Sequence, residues 1–151
     1  MRKSRVIKYN LMDSYLRLPQ FTFVNASCRA KELAHIINSK EVKKHVLSGK
    51  VLGYLEHTIR LKYGTPPPKT IMKHGKHIKL VPAIKLLWIK AKENGEVTYQ
   101  VAFLNNKWGR QAYSLYKKNI GRFGCSMEAT QTPIGITKFL AFYGFDYVTT
   151  D

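Results

Sequence analysis

A histidine, a serine and a short supply of carboxylates are the parts of this chain that could move protons. His57 lies beside Glu56 in VLGYLEHTIRL, residues 51–61, where the pair interrupts a mostly apolar run. Ser126 lies in Gly124-Cys125-Ser126, and small residues just ahead of a hydroxyl let backbone and substrate approach closely. With one of the nine acids these two could form a nucleophile, a base and an orienting group. Such a triad needs a hydroxyl whose proton passes to imidazole, a carboxylate that fixes the imidazole tautomer, and donors facing the oxyanion. Residues 57 and 126 are 69 positions apart, so spacing alone does not join them. Each also has a structural reading, the serine as an ordinary strand residue and the histidine as a side chain packed among apolar neighbours.

Other reactive side chains offer less. His74 and His77 in KHGKH have the spacing of a metal pair, but no third ligand cluster is nearby and the flanking lysines oppose a cation, so no metal and no cofactor are expected. Cys28 and Cys125 are the only cysteines. Two thiols cannot build a disulfide framework or a cysteine zinc site, and a reducing compartment is the simpler expectation.

The elements that must position these residues can be read from patterning. At 151 residues the chain has the size of one domain, 1–151, able to bury a core without staples. Residues 4–24 alternate loosely and Pro19 discourages a continuous helix, so short strands are expected there. A helix follows over NASCRAKELAHIINS, capped by Asn25 or Ser27, with Ala30, Leu33, Ala34, Ile36 and Ile37 on one side. A second runs from Glu41 to Leu47 between Ser39 and Ser48-Gly49. Gly49 and Gly53 then bracket a strand or sharp connection. Thr65 to Pro68 reads as a stiff connector leading into a basic loop through Lys79, and residues 65–77 as a mobile cover over a substrate groove. From Ile78 the pattern turns to β, with Asn94-Gly95 the strongest hairpin signal in the chain. Gln111 to Lys118 reads as a helix, and GITKFLAFYGFDYV as a helix then a strand, or as two strands broken at Gly144.

Several stretches resemble, in order, the prohead maturation proteases of tailed bacteriophages, serine proteases whose fold is shared with the herpesvirus capsid protease. The resemblance spans roughly residues 20–150. NASCRAKEL, residues 25–33, is similar to that family's N-x-N/S-G-R-x-Y-P-x-x-L motif, with Cys28 where glycine is usual. GYLEHT, residues 53–58, is similar to G-E-L-D-H-P, which carries the family's catalytic histidine, and Tyr54 and Thr58 depart from it. Gly109-Arg110 matches a turn leading into a helix. IGRFGCSMEA, residues 120–129, is similar to G-x-x-x-G-V-S-S-R-G, in which the first serine is the nucleophile. GFDYVTT, residues 144–150, is similar to x-F-D-V-V-T-x-P-S, whose acid is the third triad member.

The resemblance therefore implies an α+β domain with a mixed or barrel-like β core and flanking helices. It implies serine endopeptidase activity with catalytic His57, Ser126 and Asp146, Glu128 being a nearby alternative third member. Met127-Glu128 replaces the Ser-Arg that normally follows the nucleophile, and Arg122 or Arg110 would have to replace that arginine near the oxyanion. The sequence stops at Asp151 where Pro-Ser would follow, which reads as a trimmed, self-processed or shortened form. Implied substrates are scaffold, core and major capsid proteins, cut in the prohead interior during head assembly in the infected host cytoplasm.

The formal charge of +17, from 26 Lys and Arg against 9 acids, predicts attraction to a polyanion or to acidic protein. A rival reading follows: a protease-like fold retained as a basic, nucleic-acid-binding or structural virion protein. Against direct readout, no motif of the common nucleic-acid modules is present. Non-specific contact with nucleic acid and homo-oligomerisation both stay open. The start lacks the long apolar segment of a signal peptide and no apolar run reaches 18 residues, so neither secretion nor a membrane span is expected.

Overall fold

The computed structural model describes residues 3–10, 23–56, 58–64, 67–132 and 135–149, the side chains at 23–29, 128–132 and 135–140 excepted. In chain order the elements are β1 (Lys3–Asn10), α1 (Phe23–Ile37), α2 (Lys40–Leu47), β2 (Leu52–Gly53), α3 (Thr58–Tyr63), β3 (Thr70–Lys73), β4 (Lys76–Lys79), β5 (Ile84–Ala91), β6 (Glu96–Phe103), α4 (Lys107–Lys117), β7 (Arg122–Thr132) and β8 (Gly135–Val148).

The hairpin of β5 and β6 is the centre of an antiparallel sheet ordered β1-β6-β5-β2. Its turn forms at Asn94-Gly95: Gly95 takes φ +99°, and the Asn94 side-chain oxygen accepts the Glu96 N–H at 3.1 Å. Alternation makes one face of β6 apolar, burying Val97, Tyr99, Val101 and Phe103. β5 buries Ile84 and Leu86, then Ile89 and Ala91. A change of phase is needed between those pairs, and a register shift between Leu86 and Trp88 supplies it.

Helix α1 covers the sheet with a stripe at the helical period, Ala30, Leu33, Ala34 and Ile37, each essentially inaccessible to solvent. Burying Leu33 and Ile37 contributes about 1.5–3 kcal/mol apiece. Ser39 caps α2, its hydroxyl accepting the Val42 N–H, and Gly49 at φ +74° turns the chain away. Asn106 caps α4 in the same way through the Gly109 N–H at 2.8 Å.

The long strands β7 and β8 form a bulged antiparallel ribbon. Phe123, Cys125, Phe145 and Tyr147 alternate toward the core, where the Phe145 and Tyr99 rings stack at 3.9 Å between centroids. The ribbon also meets the chain just after β2. Leu55 bridges to Tyr147 in parallel, with Glu56 N–H donating to Tyr147 O at 2.7 Å and Tyr147 N–H to Tyr54 O at 2.9 Å.

Several expectations change. Among the described residues the β core is an open sheet plus ribbons, with no closed barrel. Helix α1 begins at Phe23, so Asn25 and Ser27 lie inside it, and Phe23-Val24 is helical rather than extended. Of the strands expected over 4–24, β1 is present and residues 11–22 lie outside the described residues. The basic loop after the prolines is the β3–β4 hairpin, turned by His74 and Gly75 at φ +52° and +75°. Helix α4 starts four residues before Gln111 because Asn106 is the cap, and so contains Gly109-Arg110. Residues 135–148 form one strand, Gly144 bending within it at φ +105°. No helix among the described residues is long and apolar enough to cross a membrane.

Candidate functional site

Two of the three expected site residues stand on one face of the β7–β8 ribbon. Asp146 pairs with Gly124 and Ser126 with Gly144. In an antiparallel ladder Asp146 and Ser126 are therefore diagonal neighbours, roughly 7–8 Å apart. Phe123, Cys125, Phe145 and Tyr147, the alternate residues, occupy the opposite, core-facing side. Both candidates are buried, Asp146 completely and Ser126 almost so.

The ladder breaks next to the serine. Between the Ser126–Gly144 and Met127–Phe142 pairs, β8 spends three residues against two on β7. Such bulges bend a strand and re-aim its side chains, and they concentrate beside active sites. Gly144 makes the bend feasible, since a Cβ there would lie 2.7 Å from Val51 Cγ1 on a backbone already at positive φ.

His57 lies outside the described residues, but both of its neighbours are described. Glu56 holds φ +75°, a left-handed conformation disfavoured for a side chain with a Cβ. The Glu56 carboxylate accepts the Thr149 N–H at 2.8 Å and also the Thr149 hydroxyl, and the Glu56 N–H is held by Tyr147 O. Thr58 opens α3. The chain on either side of position 57 is thus fixed against the end of β8.

Asp146 makes the strongest contacts of this corner. Its Oδ1 accepts the Tyr54 N–H at 2.8 Å, and Arg60 Nε donates to both oxygens, at 3.0 and 2.8 Å. The Arg60 guanidinium, itself buried, donates in addition to Leu52 O at 2.7 Å. One ion pair therefore ties β8, β2 and α3 together. A carboxylate has about four lone-pair sites, so these three bonds do not exhaust it.

Arg60 is the residue that sequence reading missed. It stands three places beyond His57, on the buried side of a six-residue helix too short for a periodic signal. Arg110 and Arg122, the expected substitutes for the family arginine, are both exposed, Arg110 bonded to Asn105 Oδ1 on α4 and Arg122 at the start of β7. The side chain of Glu128 lies outside the described residues.

Electrostatics separate the hydroxyl from the thiol beside it. Cys125 packs against the aromatic core, and burial pushes its thiol up to about 12; the nearby Arg60 charge opposes that rise and Asp146 adds to it. Cys125 is neutral at physiological pH and does not serve as a thiolate nucleophile. Tyr54 is raised as well, by desolvation, with Arg60 opposing and Asp146 assisting. No group of three or more His, Cys, Asp or Glu able to hold a metal occurs among the described residues.

No protein-family model matches the chain, and no curated protein matches it significantly. Among solved structures it is similar to the bacteriophage T4 capsid assembly protease gp21, with a TM-score of 0.44 and 16% identity. The match covers 78% of this chain and 65% of that one, less than two thirds of its length. At that distance no residue role is carried over.

Proposed function

We propose that this chain is a serine endopeptidase of the phage prohead-maturation kind, with Ser126 as nucleophile, His57 as general base and Asp146 as orienting carboxylate. The observation that supports this most is the ribbon register: Ser126 and Asp146 share one face as diagonal neighbours, and Glu56, the residue before position 57, is hydrogen-bonded to the same end of β8. A gap of roughly 7–8 Å suits an imidazole with a hydrogen bond on either side. The remaining support is the ordered motif series in the sequence.

In this mechanism the Ser126 oxygen attacks the scissile carbonyl carbon while His57 takes its proton. The tetrahedral intermediate collapses as His57 returns that proton to the leaving amine, and water then releases the acyl group by the same relay. Asp146 fixes the imidazole tautomer, and Arg60 fixes Asp146. Backbone N–H groups between Gly124 and Met127 would meet the oxyanion. The substrates are scaffold, core and major capsid proteins of an assembling head, met inside the prohead.

Co-expression of the wild type and Ser126→Ala with candidate scaffold and capsid proteins, read by intact mass, tests the proposal. Fragments appearing with the wild type alone support it. A partner cut equally by both variants, or by neither, rejects Ser126 as nucleophile.

One observation favours a second reading, a protease-like fold serving as a basic, nucleic-acid-binding or structural virion protein. Residues 58–92 contain nine Lys and Arg and no acid, and the β3–β4 hairpin they include is almost wholly exposed. Salt-sensitive DNA binding without cleavage would favour it over the peptidase.

A further inference from the structure

Alternation in β5, with Ile84 and Leu86 buried, would carry Trp88 into the core as well. The register shift between Leu86 and Trp88 reverses the phase, and the largest side chain of the strand stands 38% exposed on the opposite face of the sheet. Bulges re-aim side chains in this way. The same face carries the residues that alternate with the buried Val97, Tyr99 and Val101, namely Thr98 and Gln100 on β6, with Lys8 and Val6 opposite them on β1. Two rungs result. Val6, Gln100 and Trp88 lie side by side, and Lys8, Thr98 and Lys90 lie one rung on, about 6.6 Å along the strands. Val6, Lys8 and Lys90 are all exposed.

Two further observations concern this face. The indole is held in place although it stands at the surface: Trp88 Nε1 donates to Gln100 Oε1 at 2.8 Å, and Gln100 Nε2 donates to Ser4 Oγ at 3.1 Å. That chain of bonds across three strands orders the ring before any ligand arrives, so less freedom is lost when something stacks on it. Beside the ring, a hollow of about 480 Å³ is lined by Lys8, Lys90 and Lys92 together with Asn10, Thr98 and Glu96. Glu96 is ion-paired to Lys92 at 3.3 Å, and the described lining keeps a net positive charge. The backbone groups of β6 are engaged in ladders on both sides, so side chains must recognise a ligand here. They offer a flat ring, apolar surface at Val6 and a cluster of amines.

We infer that this sheet face binds single-stranded nucleic acid. A base stacks on the Trp88 indole, and Lys8 and Lys90 hold phosphates of the adjoining nucleotides. A duplex, whose bases are stacked on one another, has no free base face to give the indole. The inference rests on the nucleic-acid reading above and gives it a site apart from the β3–β4 hairpin; it needs neither Ser126 nor position 57.

Fluorescence tests it in a Trp108→Phe background, which leaves Trp88 as the sole tryptophan of the two in the chain. The probes are oligothymidylate, oligouridylate, a DNA duplex of equal length and polyglutamate. A single strand should quench Trp88 emission, and added salt should reverse the quenching. By anisotropy of a labelled strand, Trp88→Ala should weaken binding about five- to hundredfold, and Trp88→Phe, which keeps a ring, should retain most of the affinity. Lys8→Gln combined with Lys90→Gln should reduce the slope of log K against log salt by about 1.4. Lys73→Gln with Lys76→Gln, on the hairpin, should weaken strand binding less than that pair does. The tighter of the two strands identifies the ligand as DNA or RNA, and equal affinity means that the site reads base and phosphate alone. Absence of binding or quenching with both strands, a duplex bound as tightly as a strand, displacement by polyglutamate as readily as by unlabelled strand, or a larger loss in the hairpin pair would overturn the inference. Salt-sensitive binding that persists unchanged in Trp88→Ala would also overturn it, while leaving the nucleic-acid reading in place.

Discussion

The buried Asp146–Arg60 pair combines a structural duty with the proposed catalytic one, and substitutions can separate them. Asp146→Asn leaves the Arg60 guanidinium buried without a countercharge, and should destabilise the fold by about 3–5 kcal/mol in urea unfolding. Adding Arg60→Met should return most of that stability, a coupling visible in the double-mutant cycle, without restoring peptidase activity. Ser126→Ala, by contrast, should change stability by less than about 1 kcal/mol while abolishing cleavage. The Cys125 thiol gives a pH prediction. Burial raises its folded-state pKa to about 12, above the ordinary thiol value of 9.0. The unfolded chain therefore loses that proton first, and the contribution to stability, fully present below pH 9, declines as pH rises from 9 toward 12. At pH 8 a thiol reagent should label Cys125 in the native protein far more slowly than in urea, as followed by mass.

Among the elements, capping and close approach carry the sharpest expectations. Ser39→Ala removes the acceptor for the Val42 N–H and should cost about 1 kcal/mol by thermal unfolding. Gly53→Ala is more severe: the added Cβ would fall 1.8 Å from Phe145 O and 2.6 Å from Ile84 Cγ1. It should push β2 off β8, with a loss of several kcal/mol and of any activity that needs His57 in place. These elements differ in how visible they were beforehand. The α2 cap, the α1 stripe and the Asn94-Gly95 hairpin rest on local rules and could be read directly. The β3–β4 hairpin escaped notice because His74, not the usual Asn or Asp, takes the left-handed turn position ahead of Gly75. The single long β8 escaped because Gly144 looks like a break and is a bend. For the site, motif resemblance pointed to Ser126 and Asp146, but no local signal marks Arg60, whose importance arises from a partner 86 positions away.

Across the whole molecule, charge is unevenly placed. The acid-free stretch 58–92 puts Lys69, Lys73, Lys76 and Lys79 on or beside one exposed hairpin. If that hairpin contacts nucleic acid, replacing Lys73 and Lys76 by glutamine should lower affinity for any sequence alike. It should also reduce the slope of log K against log salt by about 2, read by fluorescence anisotropy across a salt series. The long-range ties at the other end of the fold act in time as well as in space. Tyr54, Glu56 and Arg60 find hydrogen-bond partners on β8, some ninety residues further along. A ribosome makes the chain from the other end, so the stretch around position 57 must wait for residues 146–147 to emerge before it can set. If the chain is the endopeptidase proposed above, made among the proteins it is to cut, such a wait would be protective: the half-made chain would be inert, and cleavage would begin only after the late strand had docked.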